Sequence, residues 1–352
     1  MKKDQQLRST GNTRVIQVHP SRLCNLSCLH CYSSSSPRER SALSAALLCD
    51  TLTEMAAEGY DYVSVSGGEP LLYKPLPTLL AHAKDLGLKT AIASNGMLLN
   101  KHWLNQLKGV VDTIAISLDG VPESHDRMRN SDKAFAKMAA NLDLLRQSGI
   151  NFGFIFTLTQ YNLNELDWVV NFALEQEAKL LQIHPLEEGG FANGNLSEDM
   201  PDRVESAYAY LIAGTLQEQL NKELAIQVDF ANRHILEASP DLVYASNVIP
   251  DSDALLADCV GALVIEPDGF VLPLQYGFSR YYGFGNLHSA SFKQLADHWR
   301  RDRMADFYGL CKKTHKEAID PNNPVIFNWD EKLRVASHHK PTQRQAVAVG
   351  WQ

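Results

Sequence analysis

Two periodicities alternate along the first half of this chain. Short runs rich in Val, Ile and Phe recur at RVIQV (14–18), YVSVS (62–66), KTAIA (89–93), TIAISL (113–118), FGFIFTL (152–158) and LLQIHPL (180–186), the patterning of half-buried or buried strands. Between them apolar residues return at the 3.6-residue spacing of amphipathic helices, in SALSAALLCDTLTEMAAEG (41–59), LPTLLAHAKDLG (76–87), KHWLNQLK (101–108), AFAKMAANLDLLRQSG (134–149) and LNELDWVVNFALEQE (163–177), several closed by glycine or a polar cap. Six strands joined by five helical crossovers predict one continuous, barrel-like parallel sheet. Ligands of such sheets gather at the carboxyl ends of the strands. The notable polar groups fall there: a cysteine loop after the first strand, GGEP after the second, SNG after the third and SLDG after the fourth.

After a long amphipathic helix, MPDRVESAYAYLIAGTLQEQL (200–220), the pattern changes. ALVIEPDGFVLPL (262–274) reads as a hairpin around Pro267-Asp268-Gly269, and SFKQLADHWRRDRMADFYGL (291–310) as a helix. The expected organisation is a basic N-terminal segment at 1–13, a main α/β domain at 14–225, a small appended domain at 226–330 and a tail at 331–352 without clear periodicity.

Composition narrows the class. An apolar fraction of 45% with 21% charged residues over 352 positions is that of a globular protein with a sizeable core. The first residues lack the apolar stretch of a signal peptide, and no run of about 18 apolar residues could span a bilayer, so a cytoplasmic protein without membrane association is expected. A net charge of -8 excludes a general nucleic-acid binder. Charge is nevertheless uneven. Lys2, Lys3, Arg8, Arg14, Arg22, Arg38 and Arg40 face only Asp4 and Glu39 within the first 40 residues.

In a reducing compartment, clustered thiols point to metal rather than disulfides. Arg22 to Tyr32 reads RLCNLSCLHCY, with Cys24, Cys28 and Cys31 in eight positions and His30 beside the last. A tetrahedral zinc site could take these four ligands, but the adjacent His30 and Cys31 would have to reach one small ion together. A four-iron cluster is larger, and gaps of three and two residues let a loop wrap three of its corners. Clusters used only for electron transfer have every corner held by the protein. A vacant fourth iron therefore suits a small-molecule ligand, and S-adenosylmethionine (SAM) offers its amino and carboxylate groups.

The loop C-x-x-x-C-x-H-C-Y together with GGEPLL resembles the radical SAM superfamily over about residues 14–190. The resemblance implies an α/β fold built as a partial (β/α)6 TIM-like barrel. It also implies one [4Fe-4S] cluster on Cys24, Cys28 and Cys31, and reductive cleavage of SAM to a 5'-deoxyadenosyl radical that abstracts hydrogen from a substrate. It places His30 by the adenine, Gly67 and Gly68 of the GGEP turn (with Pro70) in close approach, and Glu69 on the methionine ammonium. Ser94, Asn95 and Ser117 would meet ribose and carboxylate, Arg129 the carboxylate, and backbone around Ile183 the adenine edge. For Asp119, His125 and Asp126 helix capping and a place near SAM both stay open, as do substrate contact and a core position for His184. Cys49 reads as a small apolar residue.

Residues 259–299 resemble the SPASM/twitch extension of radical SAM maturases, through Cys259, Gly261, Pro267-Asp268-Gly269, Gly285-Asn286-Leu287 and the helix ending at Trp299. Leu274 stands where that family places a second cysteine, and the closing cysteine run is reduced to Cys311, so a degenerate α+β extension without an auxiliary cluster is expected. Gln275 replaces the aspartate of sulfatase-maturing members. The SLDG...HD..R stretch is typical of the peptide- and protein-modifying branch, which makes modification of a peptide or protein side chain the leading expectation. The alternatives are a radical SAM enzyme of small-molecule biosynthesis and a non-catalytic iron–sulfur protein. A basic face around Arg38 and Arg40 would suit an acidic electron donor such as flavodoxin or ferredoxin, or be an ordinary solvated edge.

Overall fold

The computed structural model describes residues 14–339, apart from residue 221, residues 247–249 and residue 252. The basic segment 1–13 and residues 340–352 of the expected tail lie outside the described residues. The six expected strands are present as Val15–Val18 (β1), Tyr62–Val65 (β2), Lys89–Ser94 (β3), Thr113–Ser117 (β4), Asn151–Leu158 (β5) and Leu180–Pro185 (β6). Each pairs in parallel with the next. The crossovers contain helices at Ala45–Ala57 (α1), Leu76–Asp85 (α2), Lys101–Leu107 (α3), Pro122–Arg129 (α4), Ala134–Ala139 (α5), Leu142–Ser148 (α6) and Leu166–Glu175 (α7).

Strand alternation explains the two faces of the sheet. Ile16, Val63, Ile92, Ile114, Phe154 and Leu181 are buried toward the helices. The opposite face carries Gln17, Ser64, Ala93, Ser117, Thr157, Gln182 and His184, which border a cavity. A sheet lined by small and polar residues on its concave side keeps an interior space that large apolar side chains would fill.

Two features were not legible in the pattern. The expected helix 134–149 divides where Asn141 donates from Nδ2 to the carbonyls of Gly96 (3.0 Å) and Met97 (3.3 Å), anchoring the loop after β3. The sheet also runs past residue 225. After Ala192–Asn195 (α8) and Arg203–Leu220 (α9), Ala225–Val228 (β7) pairs in parallel with β6. The chain passes through Ala231–Asn232 (β8), Arg233–Ala238 (α10) and Leu256–Cys259 (α11) to the hairpin Ala262–Ile265 (β9) and Phe270–Pro273 (β10). β9 pairs in parallel with β1, and Gly285–Asn286 (β11) closes that end, so ten strands form one sheet among the described residues. The hairpin thus covers what would be an open edge beside the cysteine loop.

The expected helix 291–310 is two helices, Phe292–Asp302 (α12) and Met304–Ala318 (α13). Buried positions fall at 292, 295, 296 and 299 and resume only at 304, a five-residue step that a straight helix would carry off its apolar face. Trp299 stacks on Phe284 with centroids 4.6 Å apart. Ile326–Phe327 (β12) pairs with β8, and Trp329–Ser337 (α14) follows from the expected tail.

The cysteine loop, residues 19–44, is clamped onto the turn after β2 by backbone contact. Gly68 N–H donates to Ser21 O and Glu69 N–H to Leu23 O, both at 2.9 Å. A Cβ on Gly68 would sit 2.1 Å from Leu23 O; one on Gly67, whose φ is +103°, would sit 2.6 Å from Ser21 O. The paired glycines are thus required by the loop itself. A second clamp follows β6, where Phe191 N–H donates to Cys31 O at 2.9 Å and a Cβ on Gly190 would lie 2.2 Å from the same oxygen. Forcing a methyl group into such a contact costs on the order of 1–3 kcal/mol. Gly68→Ala is therefore expected to fold with the far-UV circular dichroism of the wild type yet take up several-fold less iron on reconstitution; wild-type iron content would refute this account.

Candidate functional site

A cavity of about 670 Å³ opens at the carboxyl ends of the parallel strands. Cys24, Cys28 and Cys31 line one side, and Cys24, Leu26 and Cys28 pack together against Cys31 and Met97. Each thiol has a donor beside it. Leu26 N–H lies 3.4 Å from Cys24 Sγ, Arg129 Nη1 3.8 Å from Cys28 Sγ, and Ser35 N–H 3.3 Å from Cys31 Sγ. Such donors favour thiolates, but burial outweighs them here: with the donors already in place Cys24 is pushed up to about 12 and Cys28 to about 11, so a cation at the thiols would be needed to hold them ionised. Among the described residues, no group of three or more His, Cys, Asp or Glu side chains is placed to hold a single metal ion.

Glu69 is 3% exposed and its carboxylate reaches the cavity. It accepts from Leu71 N–H (3.1 Å) and Ser94 Oγ (2.8 Å) on one oxygen and from Asn95 N–H (2.9 Å) on the other. Burial raises its pKa despite these three neutral donors. No lysine or arginine forms an ion pair with it among the described residues, so a cationic ligand would complete its surroundings. Glu69 also caps the short turn Pro70–Leu72, so one side chain both closes the turn and borders the cavity. Pro70 is buried in that turn and does not border the cavity.

The remaining expected residues divide. Ser117 and His30 border the cavity, and His30 Nδ1 lies 3.3 Å from Met128 O. Ser94 is turned to Glu69, while Asn95 donates to Asn25 Oδ1 (2.9 Å) in the cysteine loop. Arg129 borders the cavity with Nε 2.6 Å from Asp119 Oδ2. His125 Nδ1 accepts the Asp119 N–H (3.1 Å), and Asp126 accepts Phe135 N–H (2.7 Å). Ile183 is fully buried on the helix side of β6, and its carbonyl accepts Asp229 N–H. It is not among the cavity residues; its neighbours Gln182 and His184 are.

The opposite wall holds groups that no motif announced. Leu274, with φ +65°, turns Gln275, Tyr276 and Gly277 to the cavity, and Gln275 donates to Asp330 O at 2.8 Å. Arg334 of α14 reaches the mouth. Cys259 and Cys311, the thiols of the expected extension, are fully buried in its core, and Cys49 is half-buried on α1.

Asp229, just after β7, accepts from His184 Nδ1 (3.0 Å), Gln182 Nε2 (2.5 Å) and Gln227 Nε2 (3.1 Å). Adjacent inward positions on β6 and β7 create this cluster, which only strand pairing reveals. Burial opposes charge on His184, but its bond to Asp229 and the charges of Glu187, Asp229 and Asp330 win and raise it to about 9. Because the folded value exceeds the ordinary 6.5, the folded protein holds this proton more tightly than the unfolded chain. The stabilisation is full below about pH 6.5 and fades as pH rises through about 9. Unfolding midpoints of wild type and His184→Gln should converge across that window; a gap independent of pH would count against the charged pair.

Residues 18–173 match the radical SAM superfamily. An AdoMet-dependent heme synthase of Nitratidesulfovibrio vulgaris is 30% identical over 324 residues, covering 85% of this chain and 83% of the relative. The PqqA peptide cyclase of Xanthomonas campestris is 28% identical over 84% of this chain and 78% of its own. The fold is shared with Streptococcus suis SuiB bound to S-adenosylmethionine, at a TM-score of 0.64 and 18% identity, over 86% of this chain and 68% of that one. The chain belongs to the radical SAM superfamily, whose members use a [4Fe-4S] cluster and SAM.

Proposed function

We propose that Cys24, Cys28 and Cys31 hold the [4Fe-4S] cluster, that Glu69 and Arg129 receive the ammonium and carboxylate of SAM, and that the enzyme modifies a peptide or protein side chain. When bound and reduced, cluster and SAM together supply a 5'-deoxyadenosyl radical for hydrogen abstraction. The chain's own residues orient the ligands and shelter the reacting centre from water. Glu69 offers a buried carboxylate that forms no ion pair among the described residues, Arg129 a planar fork matched to a carboxylate, and Ser117 and His30 border the same cavity.

The observation that carries this reading is the convergence, at one strand-end cavity, of three thiols with donors beside them and a buried carboxylate whose hydrogen-bond donors among the described residues are all neutral. The cavity, about 670 Å³, lies within the ~300–1,000 Å³ typical of a ligand site. The peptide cyclase relative, and SuiB bound to its precursor peptide, support a peptide or protein substrate. Small-molecule chemistry is the second reading, favoured by the heme synthase relative. On either, His184 stands on the wall facing the substrate.

Anaerobic incubation of reconstituted protein with dithionite and SAM is expected to yield 5'-deoxyadenosine, with Cys24→Ala, Cys28→Ala or Cys31→Ala reducing it by two orders of magnitude or more, about 10²-fold. Absence of the product from wild-type protein carrying its cluster would overturn the reading. His184→Gln should retain this substrate-independent cleavage. Mass-shifted peptides, as opposed to altered tetrapyrroles, in cells expressing the protein would separate the two substrate classes.

The exposed Arg38 and Arg40 lie in the C-terminal part of the cysteine loop and offer a face for an acidic electron donor such as flavodoxin or ferredoxin. Reduction by flavodoxin should slow with rising salt and slow further in Arg38→Glu; rates insensitive to both would remove this face as the docking site.

A further inference from the structure

Asp119 belongs to the SLDG segment, and its carboxylate is the least explained charge near the site. The side chain is 0% exposed, and neither oxygen has a hydrogen-bond donor in good geometry among the described residues. Its nearest cation is Arg129, with Nε 2.6 Å from Oδ2. His125 approaches at 4.0 Å, but its Nδ1 accepts the Asp119 N–H and so carries no proton there. His30 is 3.9 Å away.

The backbone behind Asp119 is held from several sides. Asn162 Nδ2 donates to Asp119 O (3.1 Å) and Thr157 O (2.8 Å). Glu165 accepts from Val121 N–H (2.9 Å) and Ser124 Oγ (2.5 Å), closing the turn into α4. A Cβ at Gly120, where φ is +119°, would lie 2.0 Å from Glu165 Oε2, so this closure needs glycine. Arg129 ends the same helix. The result is a rigid bracket that begins at Asp119 and returns one helix later to its partner.

A guanidinium donates along two edges. With Asp119 Oδ2 paired to Nε at 2.6 Å as an ion pair outside good hydrogen-bond geometry, the terminal nitrogens remain for other partners; Nη1 lies 3.8 Å from Cys28 Sγ, and the side chain borders the cavity. Buried ion pairs contribute little net stability, whereas fixing a planar donor beside a ligand site has a direct use. We propose that Asp119 is a positioning residue, which occupies the Nε edge of Arg129 and thereby aims its terminal nitrogens at Cys28 and at the carboxylate of SAM. This rests on the proposed SAM site and adds to it the residue that orients the arginine.

The test is equilibrium binding of SAM to the cluster-loaded full chain under anaerobic conditions, with the change that SAM induces in the electron paramagnetic resonance spectrum of the reduced cluster as a second readout. Asp119→Ala should weaken SAM binding about tenfold, the loss of roughly one oriented charge-assisted hydrogen bond, and diminish the spectral change. Iron content should stay at the wild-type level. Arg129→Gln should weaken binding at least as much, and the double variant no more than Arg129→Gln alone, because Asp119 acts only through the arginine. Should Asp119→Ala fail to fold, the isosteric Asp119→Asn carries the test with a smaller effect of the same direction. Unchanged affinity in the folded Asp119 variants, or additive losses in the double variant, would overturn the inference while the SAM site stands. A cluster-loaded wild type that shows no binding and no spectral response would instead overturn the proposed SAM site, and this inference with it.

Discussion

The site depends on one close approach of two stretches of main chain. The loop carrying three cysteines has little regular structure of its own. Its placement comes from hydrogen bonds between Ser21 and Leu23 and the Gly67-Gly68-Glu69 turn at the end of β2, a distance that no side chain larger than hydrogen would permit. The same contact that seats the thiols also sets where Glu69 begins. The three cysteines and Glu69 are therefore held in register by one backbone clamp, with Gly190 supplying a second after β6.

Charges around the cavity are arranged with unequal completeness. Asp229, behind the cavity residues Gln182 and His184, is satisfied by three donors and fixes His184. Glu69 has only neutral hydrogen-bond donors among the described residues, and Arg129 commits one edge to Asp119. A buried group that lacks a counter-charge is costly in isolation, and at a ligand-binding position that deficit becomes affinity for the ligand that removes it.

The extension contributes shape rather than visible ligands. Its hairpin extends the sheet on the free edge of β1, and its next turn, strained at Leu274, brings Gln275 and Tyr276 into the cavity wall. Tyr276 stacks on the buried His19 at the end of β1, with centroids 4.8 Å apart. The segment that resembles a cluster-binding module thus packs directly onto the base of the cysteine loop.

Strand and helix identities from β1 to β6 were legible because burial on the helix side imposes local periods of 2 and 3.6 residues, and the cysteine spacing with GGEP was legible because its chemistry is contiguous in the chain. Contacts between distant segments were not. Nothing local announces that β9 joins β1, that Asp229 meets His184, or that Glu165 closes the turn carrying Asp119. Ile183 shows the limit from the other side: the chain places it at a strand end, but the parity of β6 turns its side chain to the helices and its carbonyl to Asp229. Sequence by itself determined which elements form and which chemistry the cysteine loop supports, since both are encoded over a few neighbouring residues. Only the tertiary structure decided which polar groups share the cavity and which are already spoken for, because those depend on strand register and on side chains brought together from across the fold.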